Sequence, residues 1–186
     1  MLNLPTAITL SRSLSVPIIL YLLQEPTPEH RWISLGVFLL ASLTDWVDGY
    51  LARRLNQVTE LGKFLDPLVD KVLVLGTLLA LIEIDLVPAW GVCLILVREL
   101  TVAGWRINPN LTGQSEVIGA NFWGKLKTVT QIIAISLLLS PLASWWSTLA
   151  MVLFWLSVGL TLVSGLIYLL PAEKTEVNEV TKRKSL

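Results

Sequence analysis

Six stretches of this chain are apolar over nearly the length that a helix needs to cross a bilayer: residues 7–24, 32–51, 64–84, 88–105, 126–144 and 147–170. A hydrocarbon core takes about 20 mostly apolar residues to span. Inside it each segment must satisfy its own backbone amides, which leaves the α-helix as the form open to each stretch. The expectation is an all-α, polytopic membrane protein with six transmembrane helices. Composition agrees, because 54% of the 186 side chains are hydrophobic and only 15% charged. The mean hydropathy of +0.68 is too high for an ordinary soluble domain. One membrane domain, residues 1–171, takes up nearly everything. Residues 172–186, mixed in charge and rich in Lys, Thr and Glu, read as a solvated cytoplasmic tail. The first stretch carries Arg12 inside its apolar run and lacks both a basic start and a small-residue cleavage site, so it reads as a retained helix rather than a signal peptide.

Six crossings put both termini on one side, and the charges choose which. Of the 14 Lys and Arg residues only Arg31 falls on the far side. Arg12, Arg53, Arg54, Lys63, Lys71, Arg98, Arg106, Lys125, Lys127 and the basic residues of the tail share the near side, which the positive-inside rule makes cytoplasmic. The net charge is zero, so no overall field argues for a nucleic-acid partner. Of the eight tryptophans, Trp32, Trp90, Trp145 and Trp146 are expected at the far interface and Trp46, Trp105 and Trp123 at the cytoplasmic one, as an aromatic belt. Cys93, alone in an apolar run, reads as a small buried hydrophobe. His30, in the outer loop 25–31 with no other His or Cys nearby, reads as a surface residue.

Against this background residues 44–71, TDWVDGYLARRLNQVTELGKFLDPLVDK, are unusual: they set four aspartates where two hydrophobic segments meet the cytoplasmic side. An ionised Asp at membrane depth costs about 3 kcal/mol on insertion scales, so four of them need compensation. Asp45 and Asp48 are three apart and Asp66 and Asp70 four apart, so each pair shares one face of its helix. Two facing pairs make a cage of carboxylate oxygens. An oxygen-only donor set suits a hard cation, Mg²⁺ or Mn²⁺, and four carboxylates can hold two ions, whereas zinc prefers His and Cys. Gly49 and Ala52 continue the stripe of Asp45 and Asp48, and Gly62 that of Asp66 and Asp70, opening room for a bulky ligand. Arg53 is a fixed cation able to grip a phosphate bidentately. The bland alternative is that the aspartates are helix-end residues paired with Arg53, Arg54, Lys63 and Lys71. It explains any one acid more readily than all four in this arrangement. Pro67 is expected near the start of its helix, loosening the backbone there.

These residues spell D-x2-D-G-x2-A-R-x8-G-x3-D-x3-D, eight fixed positions within 26, with every spacing intact. The pattern resembles the signature of the CDP-alcohol phosphotransferases. The resemblance extends over about residues 3–131, through NLPTAITLSR, LDPLVDKV, the REL at 98–100 and the WGKLKT at 123–128, and is closest to members that use sn-glycerol 3-phosphate as acceptor. It implies six transmembrane helices, a homodimer and an active site open to the cytoplasmic leaflet of the cell membrane. It also implies that Asp45, Asp48, Asp66 and Asp70 hold two metal ions, that Asp70 is the base, and that Gly49, Ala52, Arg53 and Gly62 bed the CDP moiety of CDP-diacylglycerol.

The signature offers no Ser, Cys or His nucleophile, which favours direct in-line displacement of CMP by the acceptor hydroxyl, with Asp70 taking the proton. A dianionic acceptor phosphate would need further cations, and Arg98, Arg106, Lys125 and Lys127 are available. The alternative for these is positive-inside anchoring and headgroup contact. Arg12 either snorkels to the interface or sits beside the nucleotide. Two rival readings are a sister enzyme with another acceptor (inositol phosphate, serine or phosphatidylglycerol) and a cation transporter. The transporter is disfavoured because these acids cluster toward one interface rather than the bilayer midplane.

Overall fold

The computed structural model describes residues 12–54, 60–107 and 122–169, with the side chains at 45–54, 60–67, 70, 105–107, 144 and 168–169 outside the description. Among the described residues there are six helices and no strand: α1 (Ser15–Leu23), α2 (Pro28–Arg54), α3 (Glu60–Glu83), α4 (Ala89–Ile107), α5 (Phe122–Leu139) and α6 (Ser144–Leu169). Each falls on one of the six apolar stretches. Two of them contain runs long and apolar enough to cross a membrane by themselves, Phe122–Leu139 and Trp145–Ile167. α2, α3 and α4 are as long, but their runs are interrupted by Asp45 and Asp48, by Asp66, Asp70 and Lys71, and by Arg98, Glu99 and Arg106.

The outside of the bundle is apolar on every helix: Tyr21, Leu40, Leu79, Val97, Phe122 and Leu156, one from each, are all exposed. The inside holds small polar groups, with Ser34, Thr77, Ser157, Thr161 and Ser164 buried. Thr77 and Thr161 donate to the carbonyls of Leu73 and Ser157 one turn back, so their hydroxyls are satisfied within their own helices. So many large apolar side chains exposed on every helix exceed what a soluble monomer ordinarily shows, and small hydroxyl residues between helices are what close packing in lipid favours. The protein is a membrane protein. Cys93, expected to be buried, is exposed on this apolar surface; a residue in an apolar run can face lipid as readily as the core.

The core is formed by Phe38, Leu73, Leu81, Ile95, Ile135 and Phe154 among others. α5 and α6 share the most extensive contact, and α3 is central, touching α1, α2, α4 and α5. Its approach to α1 requires Gly76, where a Cβ would lie 2.4 Å from a methyl of Val16. Gly91 of α4 meets the Phe154 ring and Arg98 meets Gly165, so α4 and α6 run parallel. Arg31 at the start of α2 meets the end of α5, so those two are antiparallel. The end of α2, the start of α3, the end of α4, the start of α5 and the end of α6 therefore gather at one end of the bundle. Trp32, Trp90 and Trp145 lie exposed toward the opposite end, where Trp145 stacks on Trp146 at 4.2 Å, as the aromatic-belt reading expects. Trp123 is exposed at the near end; the side chains of Trp46 and Trp105 lie outside the described set. Arg12 is 3% exposed, packed into the protein rather than extended to an interface. Pro67 is the eighth residue of α3 rather than near its start. The helix continues through it, and the Lys63 carbonyl loses its intrahelical partner because proline has no N–H.

Local chemistry sets the turns at the far end. Thr27 caps α2, accepting at Oγ1 from the His30 amide at 3.2 Å, and Pro28 follows at the first helical position. His30 Nδ1 donates to the Glu25 carbonyl at 2.8 Å, a local structural role. α3 closes with Leu86 N–H on the Leu81 carbonyl at 2.9 Å and Asp85 N–H on that of Ile82 at 3.0 Å. Asp85 takes the left-handed conformation (φ 58°) that such a cap requires. Arg31 donates to the carbonyls of Leu138 (2.8 Å), Leu139 and Ser140 (both 3.2 Å), capping α5 with a cation at the negative end of its dipole.

Both of these helix ends bear on stability. Asp85→Gly removes the left-handed strain and should stabilise the purified protein by about 0.5 kcal/mol, raising its Tm by about 1–2 °C. Arg31→Ala leaves three carbonyls without their donor and should destabilise by about 1.5–3 kcal/mol, with Arg31→Lys recovering part of the loss in the same thermal melt.

Candidate active site

α2 is unbroken through Asp45, Asp48, Gly49, Ala52 and Arg53, and α3 is unbroken through Gly62, Asp66 and Asp70. The i, i+3 and i, i+4 spacings therefore act on real helices, and each aspartate pair shares a face. The two helices are in contact and are joined through residues 55–59, so the end of one meets the start of the other and all four aspartates lie toward the same end of the bundle. The side chains of these eight residues lie outside the described set. What bears on a metal is the donor chemistry: four carboxylates and no thiol or imidazole in the motif fit a hard divalent cation.

Next to them is a charged cluster whose side chains are described. Glu99, on α4 and 8% exposed, takes Lys127 of α5 and Arg98 of its own helix on one carboxylate oxygen. The Arg98 Nη1 donates at 3.0 Å, and its Nη2 donates to Ser164 Oγ on α6. The Arg98 stem lies on Gly165, where a Cβ would come within 2.8 Å of Cγ. Any side chain at 165 would push the guanidinium away. α6, which carries none of the motif, thereby fixes a cation at the site.

Glu99 and Lys127 face a small, partly open cleft between α3, α4 and α5, with a cavity volume of about 30 Å³. Lys71, Glu99, Lys127, Thr128 and Gln131 supply its polar lining, and Val74, Leu75 and Ile95 its apolar part. Lys71 directly follows Asp70, so the cleft begins one residue from the last aspartate of the motif.

Of the four basic residues singled out from sequence, Arg98 and Lys127 are brought together. Lys125 is exposed and is not among the residues lining the cleft, because two residues along a helix turn a side chain to another face. Arg106 lies near the end of α4, with its side chain outside the described set. Sequence reasoning missed Glu99, Lys71 and Gln131 as parts of the cleft. Signals for two of them were present. Glu99 is an acid inside an apolar run, which demands compensation as the aspartates do, and Gln131 stands four residues after Lys127 on the same face.

Comparison with known proteins bears on the same helices. The chain is 43% identical over 180 residues to the CDP-diacylglycerol–glycerol-3-phosphate 3-phosphatidyltransferase of Bacillus subtilis, covering 89% of this chain and 92% of that one. It is 30% identical over 183 residues to the protein of that name from Haemophilus influenzae, covering 96% and 97%. It is also 34% identical to a cardiolipin synthase (CMP-forming) of Oryza sativa subsp. japonica, covering 91% of this chain and 57% of that one. The family model for CDP-alcohol phosphatidyltransferase matches residues 2–163, a span that takes in the four aspartates, the REL triplet and the cleft. With the motif intact on two touching helices and the match running through five of the six helices and most of the last, the chain belongs to the CDP-alcohol phosphatidyltransferase family.

Proposed function

We propose that the protein transfers the phosphatidyl group of CDP-diacylglycerol to sn-glycerol 3-phosphate, giving phosphatidylglycerophosphate and CMP. The observation that carries this reading is the match along nearly the whole of both chains to relatives named for that reaction. It is supported by the donor chemistry of the motif and by a cation-lined cleft that begins beside Asp70.

In this reading Asp45, Asp48, Asp66 and Asp70 hold two divalent ions, Mg²⁺ or Mn²⁺. When bound, these supply charge neutralisation to the phosphoryl oxygens and to the departing CMP. Gly49, Ala52 and Gly62 leave room for the CDP moiety, and Arg53 grips its diphosphate. Asp70 takes the proton of the acceptor hydroxyl as that oxygen attacks the phosphorus of the phosphatidyl group, and the bond from that phosphorus to CMP breaks in line. Lys127 and Arg98, with Arg106 and Lys125 as further candidates, hold the acceptor phosphate. The six helices all cross the membrane, the charged end faces the cytoplasm and the protein works as a homodimer. A second reading, transfer to phosphatidylglycerol, is favoured by the resemblance to the rice protein. It shares the chemistry and differs in the acceptor.

Purified protein supplied with CDP-diacylglycerol and radiolabelled glycerol 3-phosphate should release CMP and form labelled lipid, and EDTA should stop it. Product from phosphatidylglycerol alone would move the assignment to the second reading. Asp45→Asn, Asp48→Asn and Asp66→Asn should each lower turnover by at least a hundredfold without loss of the folded protein, and near-normal turnover in two of the three would sink the cage. For topology, Cys93 is exposed and must first become Ser. Single cysteines at Glu25 and Gln57 should then label from opposite faces of sealed vesicles, and labelling from the same face would overturn the six-crossing arrangement.

A further inference from the structure

The Glu99 triad raises a question that the proposed reaction does not answer, since two cations suited to an anionic substrate are tied to a carboxylate. Stability alone is a poor reason for it. Ions held between apolar helices are costly to desolvate, and apolar side chains of similar volume often replace such groups without loss. Glu99 and Lys127 line a partly open cleft instead of sealing a core. We propose that Glu99 is a positioning residue for the acceptor: its carboxylate, itself held by Arg98, pins Lys127 at the wall of the cleft, and the cleft receives the polar head of the acceptor. The proposal deepens the reading above and rests on it.

Three observations carry it. The first is the shared oxygen. Lys127 Nζ and Arg98 Nη1 both donate to Glu99 Oε1, which fixes two long side chains at one point and prevents their mutual repulsion from driving them apart. An ammonium has three donors, and one contact to Glu99 leaves capacity for a ligand. The second is the chain of supports. Arg98 is held by Ser164 and seated on Gly165, Glu99 is held by Arg98, and Lys127 is held by Glu99. The placement of Lys127 therefore depends on α6 through Glu99. The third is Gln131, one turn beyond Lys127 and 5% exposed, whose Nε2 has no hydrogen-bond partner among the described residues although the residue lines the same cleft. A buried amide donor left unused is uncommon, and an oxygen-rich ligand in the cleft would satisfy it. An acceptor whose head lies among Lys127, Gln131 and Thr128 sits beside Lys71, the residue next to Asp70 in the chain.

The test is steady-state kinetics of the full chain in mixed micelles, with each substrate varied in turn. Glu99→Gln keeps the size and removes the charge that pins the cations. It should raise the KM for glycerol 3-phosphate roughly ten- to a hundredfold, the usual effect of losing a charge-assisted contact, and change the KM for CDP-diacylglycerol less than twofold. Glu99→Asp should recover part of the loss. Lys127→Met should raise the same KM, and adding Glu99→Gln to it should cost much less than the product of the two single effects, because the residue being positioned is gone. The double variant also buries fewer unpaired charges, so it serves where Glu99→Gln alone does not fold. An unchanged acceptor KM in Glu99→Gln, equal rises for both substrates with a lowered Tm, or independent effects in the double variant would each overturn the proposal. If the wild type uses a different acceptor, the assignment of glycerol 3-phosphate fails by itself, and the same comparison made with the active acceptor decides the role of Glu99.

Discussion

An ionised side chain between helices whose outer faces are hydrocarbon-like has no water to return to, so its charge must be answered by a neighbour, a helix end or a ligand. The layout of this protein follows from that constraint. The buried hydroxyls of Thr77 and Thr161 close on their own helix backbones. At one end of the bundle Arg31 is spent on the three carbonyls that terminate α5. At the other, Glu99 gathers Lys127 and Arg98, and four aspartates stand on the two helices that meet there.

The alternation of helix direction turns this local chemistry into a site. Because α4 and α6 run parallel, Arg98 is in register with Ser164 and Gly165. Because α4 and α5 each pack on α3 and α6, Lys127 reaches Glu99 across the space between them. Contributions from positions 71, 99, 127 and 131 thus converge on one cleft although they are spread over 61 residues of chain. α3 is the common member: its first half carries Asp66 and Asp70, its Lys71 lines the cleft, and its Gly76 lets α1 close against it.

This geography suits the proposed transfer. The donor's CDP end would be bedded along α2 and α3, where the motif's small residues and Arg53 lie, and the acceptor's head would sit among α3, α4 and α5. The acceptor's hydroxyl and the phosphorus it attacks would meet near Asp70, the position common to both regions. Differences in acceptor between members of the family would then be expected in the lining of the cleft rather than in the motif.

Much of this is legible in the amino-acid sequence by itself. The apolar runs locate all six described helices, because a long apolar segment that must pair its own backbone groups does so as a helix. The spacing of Asp45, Asp48, Asp66 and Asp70 identifies the metal candidates, because helical periodicity converts sequence separation into a shared face. Which way a residue faces within an apolar run is not legible, and Cys93 lies on the surface for that reason. Nor can charge alone separate Lys127, buried against Glu99, from Lys125, exposed two residues earlier. Choosing between them requires knowing which neighbour each face of α5 meets. Pairings such as Arg98 with Ser164, or Arg31 with the end of α5, join residues 66 or more than 100 positions apart. They depend on the order and register in which the helices pack, and only the tertiary structure decides that.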